Sequence, residues 1–200
     1  LHKYARFIKD QAQKLTGQVE KVLQIVKVEN DSFRLNKEPL DMVELIDGIV
    51  QSYNIKLEET GGELHLSQPD KQVMVKADKM HTSNILGNLL DNAIKYAIDV
   101  ELMIHIHGQL QGSTYVLTIE DNGPGIPREF HQQVFEKFFR VPTGDLHNVK
   151  GFGLGLFYVK SICDQQKWSI DMRSEEGEGT AFIIRMPVIK VQVGEQHAVR

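Results

Sequence analysis

The sequence predicts an α+β domain, a two-layer sandwich with a mixed, mostly antiparallel sheet and helices on one face, preceded by one long helix. Three observations support this prediction. Segments that alternate apolar and polar residues come in consecutive pairs near 63–76, 101–120 and 168–186, as hairpins do. Segments of helical periodicity lie between these pairs. Strand and helix do not alternate regularly, which disfavours a doubly wound nucleotide fold.

Composition narrows the class of protein. The chain has 200 residues, 41% hydrophobic and 25% charged, which is typical of a globular domain with an appendage. Its net charge of -4 and the lack of a basic block argue against binding to nucleic acid. The single cysteine, Cys163, excludes a disulfide framework and indicates a reducing compartment. No run of about eighteen apolar residues occurs, so we expect these residues to lie in the cytoplasm.

Residues 1–29 have the apolar periodicity of one long helix. The stripe consists of Tyr4, Ile8, Gln11, Leu15, Val19, Val22 and Val26. One helix cannot bury such a stripe, so it either lies on the following domain or belongs to an antiparallel hairpin whose other helix is not in this chain. The start at Leu1, already within the helical pattern, favours the hairpin. We therefore divide the chain into a partial hairpin at 1–30, a compact domain at 31–188 and a tail at 189–200.

Within the compact domain, the patterns predict seven strands, at about 34–40, 63–67, 72–76, 101–109, 114–120, 168–174 and 181–186. They predict three helices, at about 41–59, 79–97 and 152–166. Asp41 and Glu44 have the spacing of a capping box for the first helix, and Asp78 can cap the second. The second and third strands are expected to pair around a Pro-Asp turn. Residues 122–150 contain no strand, and so long a loop inside a compact domain is more often functional than idle.

The second helix carries an unusual polar side. Asn84, Asn88, Asp91, Asn92 and Lys95 fall within roughly a third of its circumference, and apolar residues cover the rest. Asn is a poor helix former because its amide competes with the backbone for hydrogen bonds. This side is therefore either a solvated surface that tolerates Asn or a site where amide oxygens face a cation or phosphate.

Glycine-rich segments flank the long loop. Asp121 ends a strand and is followed by Gly123 and Gly125, so the backbone can approach a ligand and the carboxylate can accept a hydrogen bond from an amino group. Taken alone, a Pro-Gly turn explains this segment more simply. Glycines at every second position, beginning at Gly151, precede the third helix, where unpaired N–H groups make an anion site.

An aromatic cluster lies within the long loop and consists of Phe135, Phe138 and Phe139, with Lys137 and Arg140 beside them. It is either a mobile piece that folds onto an apolar ledge or a small satellite core. Each of these motifs, taken alone, is weak evidence for a function. Their order along the chain is specific.

In this order the motifs resemble the catalytic, ATP-binding domain of two-component sensor histidine kinases, in the superfamily that includes gyrase B, Hsp90 and MutL and has the Bergerat-type fold. The resemblance covers about residues 34–187. Four family boxes match: the N box at Asn88–Tyr96, the G1 box at Asp121–Gly125, the F box at Phe135–Arg140 and the G2 box at Gly151–Leu156. Gly177, Gly179 and Thr180 match a further Gly-x-Gly-Thr. Residues 1–29 look like the second helix of the family's dimerisation and phosphotransfer hairpin.

The resemblance implies a site for ATP and Mg²⁺. The residues that would bind ATP are Asn88, Asn92, Lys95, Tyr96, Asp121, Gly123, Gly125, Ile126, Phe139, Arg140, Gly151, Gly153, Leu154, Gly155, Leu156 and Thr180. Asn88 and Asn92 would also hold Mg²⁺, while Asn88, Lys95 and Arg140 would be the catalytic residues. Residues 126–150 would form a lid over the nucleotide.

The resemblance also implies a reaction. Superfamily members that hydrolyse ATP carry Glu where this chain has Asn88, and Asn cannot act as a general base. We therefore expect the site to hold ATP, with Asp121 and Thr180 selecting adenine, and to transfer the γ-phosphate to a histidine for relay to the receiver domain of a response regulator. None of the eight histidines lies in the family's H box, so we expect a fragment without its own acceptor. The intact protein is implied to be a membrane-anchored homodimer.

Two rival functions fit the same motifs. In one, ATP closes the lid and changes docking to partners without phosphoryl transfer. In the other, the domain is an ATP-hydrolysing clamp of the gyrase or Hsp90 kind. Asn88 argues against the clamp because a clamp needs a base at that position.

Overall fold

The fold is taken from a computed structural model. It describes residues 33–58, 61–97, 101–142 and 152–189, together with Tyr4, Lys9, Ala12, Thr16, Val19, Leu23 and Val26. Those seven single residues are helical and exposed, in line with the long helix expected over 1–29. The division of the chain into hairpin, domain and tail stays a prediction.

The described part of the chain contains, in order, β1 (Glu38–Asp41), α1 (Met42–Glu58), β2 (Glu63–Ser67), β3 (Met74–Ala77), α2 (Lys79–Tyr96), β4 (Met103–Gln111), β5 (Thr114–Asp121), 3₁₀ turns at Arg128–Phe130 and Gln133–Phe135, α3 (Gly155–Gln166), β6 (Ser169–Glu175) and β7 (Gly179–Pro187). Asp41 accepts a hydrogen bond from the backbone N–H of Val43, 3.0 Å away, and thereby caps α1 as predicted. No helix among these is long and apolar enough to cross a lipid bilayer.

Five strands form one sheet in the order β2-β4-β5-β7-β6. Only β2 and β4 are parallel, so the mixed, mostly antiparallel sheet is confirmed. The expected pairing of the second and third strands is wrong. β2 pairs with β4, and β3 pairs with β1 in a separate two-stranded sheet.

The loop after β2 explains this error. The side chain of Gln68 donates to Asp47 on α1, 2.8 Å away, and the backbone N–H of Met42 donates to the oxygen of Val73 at 2.9 Å. These contacts hold the segment between β2 and β3 against α1, so that β3 lies beside β1. Alternating burial specifies which side of a strand faces the core but not which strand lies next to it.

The core lies between the helices and one face of the five-stranded sheet. Alternate residues of β5 and β7 are buried there, including Tyr115, Leu117, Ile119, Ile184 and Met186. The apolar side of α2 supplies Ile85, Leu86, Leu89 and Leu90. Burial of each such side chain contributes about 1.5–3 kcal/mol. Because these residues face the core, the asparagine side of α2 is left partly exposed.

A buried polar network joins the start of α2 to the end of α3. Asp78 caps α2, since its carboxylate accepts from the N–H of His81 at 3.1 Å, as predicted. Gln166 accepts from the N–H of Asp78 and donates to the hydroxyl of Thr82, at 3.2 and 3.0 Å. The Asp78 carboxylate also accepts from the N–H of Asn36, 2.9 Å away. The segment that leads into the domain is thus tied to the same two helices.

Candidate functional site

Three polar residues form a row across neighbouring strands at one end of the sheet. Ser174 on β6 is paired with Thr180 on β7, and Thr180 is paired with Asp121 on β5. Residues two positions away on each strand pack in the core, so the row lies on the face that the helices cover. It forms the polar end of an otherwise apolar layer.

Backbone groups hold the Asp121 carboxylate in place. Its oxygen accepts from the N–H of Gly123 at 2.9 Å. Burial raises the pKa of this carboxyl, and hydrogen bonds from the backbone of Gly123 and Thr180 act in the opposite direction. A Cβ on Gly179 would lie 2.0 Å from the main-chain oxygen of Asp121, so glycine is required there. The ionised carboxylate is a partly buried group that can only accept hydrogen bonds.

The glycine segment after Asp121 lies on the β6–β7 turn. Gly125 has a φ of +71°, and a Cβ there would lie 1.9 Å from the main-chain oxygen of Glu175. The N–H of Gly177 donates to the oxygen of Pro124 at 2.7 Å. The close backbone approach that the glycines predicted is therefore, for Gly125, an approach to the protein's own turn.

Ser174 is a site residue that the sequence analysis missed. Its hydroxyl accepts from the N–H of Ile126 at 2.8 Å and donates to the oxygen of Gly179 at 2.7 Å. It also lies 2.9 Å from the hydroxyl of Thr180. Pairing the last two predicted strands in register would have placed Ser174 beside Thr180 and provided a signal for it.

On α2, the amide of Asn88 has a defined orientation. Its nitrogen donates to the main-chain oxygen of Asn84, 2.7 Å away. Its oxygen lies 3.0 Å from where a Cβ of Gly155 would be, at the start of α3. One turn further along α2, Asn92 is partly exposed. Lys95 donates to the hydroxyl of Tyr96 at 3.1 Å and lies 4.5 Å from the centre of that ring.

The amide oxygens of Asn88 and Asn92 are suitable ligands for a hard cation such as Mg²⁺. The hydrogen bond that the Asn88 amide nitrogen donates to Asn84 directs the amide oxygen toward the start of α3, where it can face a ligand. In the part of the chain that the structure describes, no group of three His, Cys, Asp or Glu side chains could hold a metal ion. A cation here would therefore take amide oxygens, phosphate oxygens and water as ligands, as Mg²⁺ does.

The start of α3 packs on the aromatic segment. Gly153 has a φ of +68°, its oxygen accepts from the N–H of Phe138 at 3.0 Å, and a Cβ there would lie 2.4 Å from the oxygen of Phe139. This left-handed residue explains why α3 begins at Gly155 rather than near residue 152 as expected. Leu154 is buried, Leu156 is half-buried, and Gly151 lies outside the described residues.

Part of the aromatic cluster packs on the core and part of it is exposed. Phe135 meets Phe182 of the core edge to face, with ring centres 6.4 Å apart, and Phe139 packs against Phe130 at 5.7 Å. Phe138 is 68% exposed and has a φ of +63°. The neighbouring Arg140 is exposed. Residues 143–150 of the expected lid lie outside the described residues.

A second feature that the sequence did not predict is a hydrogen-bonded contact between α3 and the asparagine side of α2. The hydroxyl of Tyr158 on α3 lies 2.7 Å from the ring nitrogen Nδ1 of His81 and accepts from the amide of Asn84 at 3.3 Å. Burial lowers the pKa of His81, and Asp78 acts in the opposite direction. The His81 imidazole thus holds the Tyr158 phenol, which accepts from the side chain of Asn84, one turn before Asn88 on α2.

Comparison with known proteins shows what this arrangement belongs to. Residues 77–190 match the family of histidine kinase-, DNA gyrase B- and HSP90-like ATPases. The chain belongs to this family. The matched span includes α2, the polar row on the sheet and the start of α3.

Relatives of this chain include bacterial sensor proteins. The sensor protein RprX of Bacteroides fragilis is 40% identical over 184 residues, which cover 92% of this chain and 36% of RprX. The chain thus spans about a third of that relative. It carries the catalytic, ATP-binding domain of a sensor histidine kinase, as its motifs predicted.

Solved histidine kinases share the fold. Full-length ShkA in complex with AMPPNP has a TM-score of 0.80 at 22% identity, covering 95% of this chain and 39% of ShkA. ThkA in complex with the response regulator protein TrrA has a TM-score of 0.72 at 22% identity, and the match covers 94% of this chain and 51% of the ThkA chain. The predicted two-layer α+β architecture is thereby confirmed.

Proposed function

We propose that this kinase domain binds ATP with Mg²⁺ between the polar row and the asparagine side of α2, and transfers the γ-phosphate to a histidine of a phosphotransfer hairpin. The observation that carries the proposal is the pairing of Asp121 with Thr180 on the helix-covered end of the sheet. The ionised Asp121 carboxylate can only accept hydrogen bonds, and the adenine amino group is a ligand that donates them.

The proposed roles follow from the chemistry of each group. Asn88 and Asn92 offer amide oxygens to Mg²⁺, which when bound would neutralise charge on the phosphates. Lys95 and Tyr96 contact the phosphates or ribose, and Arg140 reaches the γ-phosphate. The N–H groups of Gly153 and Gly155 face the phosphates, and further proposed ATP contacts on that side are Gly151, Leu154 and Leu156. The residues that enclose the base, at the edge of the lid, are Gly123, Gly125, Ile126 and Phe139.

The proposed reaction is phosphoryl transfer to nitrogen. An imidazole nitrogen of the acceptor attacks the γ-phosphorus, the bond from phosphorus to the bridging oxygen breaks, and ADP leaves with that electron pair. Asn88 lacks the basicity to activate water. ATP is therefore held with little hydrolysis until an acceptor histidine docks.

The partners of the intact protein are proposals of the same kind. ThkA has been solved with a response regulator protein, which supports relay of the phosphoryl group from the hairpin histidine to a receiver domain. Four helical residues carry exposed apolar side chains, Tyr4, Val19, Leu23 and Val26, which supports a second hairpin helix and a homodimer. Anchoring of the intact protein in the membrane, with this domain in the cytoplasm, completes the proposal.

Calorimetric titration of the chain with ATP, with and without Mg²⁺, is the first test. We expect saturable binding that Mg²⁺ strengthens, and loss of the Mg²⁺ effect in Asn92→Ala. The matched control is Asn54→Ala, a helical and exposed asparagine on α1, which should bind as the parent does. Binding by Asn92→Ala that still responds to Mg²⁺ in the parental way would show that the metal site lies elsewhere.

Phosphoryl transfer is tested with a purified hairpin that carries the acceptor histidine and with ATP labelled in the γ-phosphate. We expect label on the hairpin and little free phosphate. An unlabelled hairpin that nevertheless docks would favour a nucleotide-responsive binding module. Rapid phosphate release from ATP alone would favour a hydrolysing clamp.

A further inference from the structure

The hydroxyl of Ser174 has three polar neighbours, and counting hydrogens assigns every one of its contacts. A serine hydroxyl has one hydrogen to donate and two lone pairs to accept with. The oxygen of Gly179, 2.7 Å away, can only accept, so it takes that hydrogen. The N–H of Ile126, 2.8 Å away, can only donate. At the third contact, the 2.9 Å contact to Thr180, Ser174 has no hydrogen left to give.

The hydrogen in the third contact must therefore come from Thr180. Once Thr180 donates to Ser174, its oxygen offers only lone pairs to a ligand. That hydrogen is also unavailable to Asp121, the cross-strand neighbour of Thr180. Thr180 and Asp121 thus form a pair of acceptors in register on adjacent strands, and Thr180 is only 7% exposed, so its hydroxyl has little water to turn toward.

We infer that Ser174 is a specificity-determining positioning residue, because it orients the Thr180 hydroxyl so that the base site accepts a 6-amino purine and rejects a 6-oxo purine. A 6-amino group has two hydrogens and can donate to both acceptors. The oxygen of a 6-oxo group would instead place its own lone pairs against the lone pairs of Thr180 and Asp121. Ser174 touches neither group. This inference rests on the proposed function, since it concerns the base of the nucleotide bound there.

The test compares ATP with inosine triphosphate, which differs in carrying oxygen at position 6 and hydrogen on N1. The measured quantity is the ratio of the two dissociation constants, taken by calorimetry on the whole chain. In Ser174→Ala the Thr180 hydroxyl is free to turn and donate, so the preference for ATP should fall on the order of tenfold, as expected for one hydrogen bond. Ser174→Thr keeps the hydroxyl and should restore the parental ratio.

A double-mutant cycle separates orientation of Thr180 from a merely structural role. Thr180→Val removes the hydroxyl that Ser174 orients, so adding Ser174→Ala to it should leave the ratio unchanged. A further fall in the ratio in that background would overturn the inference. If Ser174→Ala does not fold, Ser174→Cys gives the same comparison, because a thiol is a weak donor and a weak acceptor.

The remaining outcomes distinguish this inference from the proposed function. ATP binding by the parent with an unchanged ratio in Ser174→Ala would overturn the role of Ser174 and leave the ATP site standing. No ATP binding by the parent would overturn both. A lower ratio that Ser174→Thr restores would support both.

Discussion

Asn88 donates its side-chain amide nitrogen to the main-chain oxygen of Asn84, 2.7 Å away, one turn earlier on α2. This contact decides which end of the amide faces the start of α3. The Asn88 oxygen meets Gly155 there, where a Cβ would lie 3.0 Å from it. Because the amide is planar and its nitrogen is bonded to Asn84, a side chain at position 155 would push the Asn88 oxygen away by a few tenths of an ångström and strain that hydrogen bond.

Gly155→Ala should therefore separate folding from ligand binding. Alanine at a helix start is a better helix former than glycine, so the free energy of unfolding should stay the same or rise by up to about 1 kcal/mol. Affinity for ATP with Mg²⁺ should fall several-fold because the Asn88 oxygen is displaced. Urea unfolding and calorimetry measure the two effects.

The matched control for this variant is Gly48→Ala, in the middle of α1, where a Cβ meets nothing within 4 Å. It should stabilise by about 0.5–1 kcal/mol and leave nucleotide affinity unchanged. Equal affinities in the two variants would contradict the role given to the Asn88 oxygen.

Asp121→Asn should weaken adenine binding without weakening the fold. Burial raises the pKa of the Asp121 carboxyl above its usual 3.8. Ionisation of a group with a raised pKa opposes folding: its contribution to stability is full below pH 3.8 and is lost as the pH rises through the raised value. Asparagine has no charge to desolvate. The variant should therefore be at least as stable as the parent at pH 7, while ATP affinity falls at least about tenfold.

The pH dependence checks the sign of this effect. Urea unfolding of both proteins between pH 4 and 7 should show the parent losing stability relative to Asp121→Asn as the pH rises. A variant that is clearly less stable than the parent at pH 7 would mean that the backbone hydrogen bonds to the carboxylate outweigh the cost of its burial.

Much of the candidate site could be predicted because its residues are recognisable from their neighbours in the sequence. The asparagines of α2 share one side by helical spacing alone, and Asp121 is recognisable as a strand end followed by glycines. The alternation of apolar and polar residues along each strand correctly predicts which face of the strand is buried. These are properties of neighbouring residues, which a sequence displays directly.

What the sequence does not display is which distant segments meet. The pairing of β2 with β4 depends on contacts that Gln68 makes with α1. Tyr158 and His81 lie on different helices and show no shared pattern. In each case a hydrogen bond between remote residues decides, and hydrophobic periodicity carries no information about it.

His81→Gln should change how stability responds to acid. Burial lowers the pKa of His81 below its usual 6.5. A lowered pKa contributes stability above pH 6.5 that is lost as the pH falls through the lowered value, because the buried ring must then be charged. Glutamine stays neutral and can still bond to Tyr158. The stability advantage of the parent over the variant should therefore shrink between pH 7 and pH 5, as measured by urea unfolding.

An advantage that stays constant over this range would show that His81 titrates alike in the folded and unfolded states, so that its pKa is not lowered by burial. Comparing each variant with the parent at the same pH removes the contributions of all other groups, including Asp121. The slope of that difference is the quantity that reports on His81 alone.

Tyr115 and Gly108 provide a last prediction, about the core. Tyr115 is 0% exposed, and its ring lies over Gly108 on the adjacent strand, where a Cβ would come within 2.0 Å of the hydroxyl oxygen. Among the described residues that hydroxyl has no hydrogen-bond partner. A buried hydroxyl without a partner costs about 1–3 kcal/mol, so Tyr115→Phe should be as stable as the parent or more stable.

Gly108→Ala should destabilise the fold by about 1–3 kcal/mol, because the new methyl group overlaps a ring that the core holds in place. The clash should persist in the Tyr115→Phe background, since the ring carbon Cζ itself would lie 2.7 Å from the new Cβ. Urea unfolding of the two single variants and the double variant measures this directly. If Tyr115→Phe proved less stable than the parent, the hydroxyl would have to be bonded, and the cost of Gly108→Ala would then include the loss of that bond.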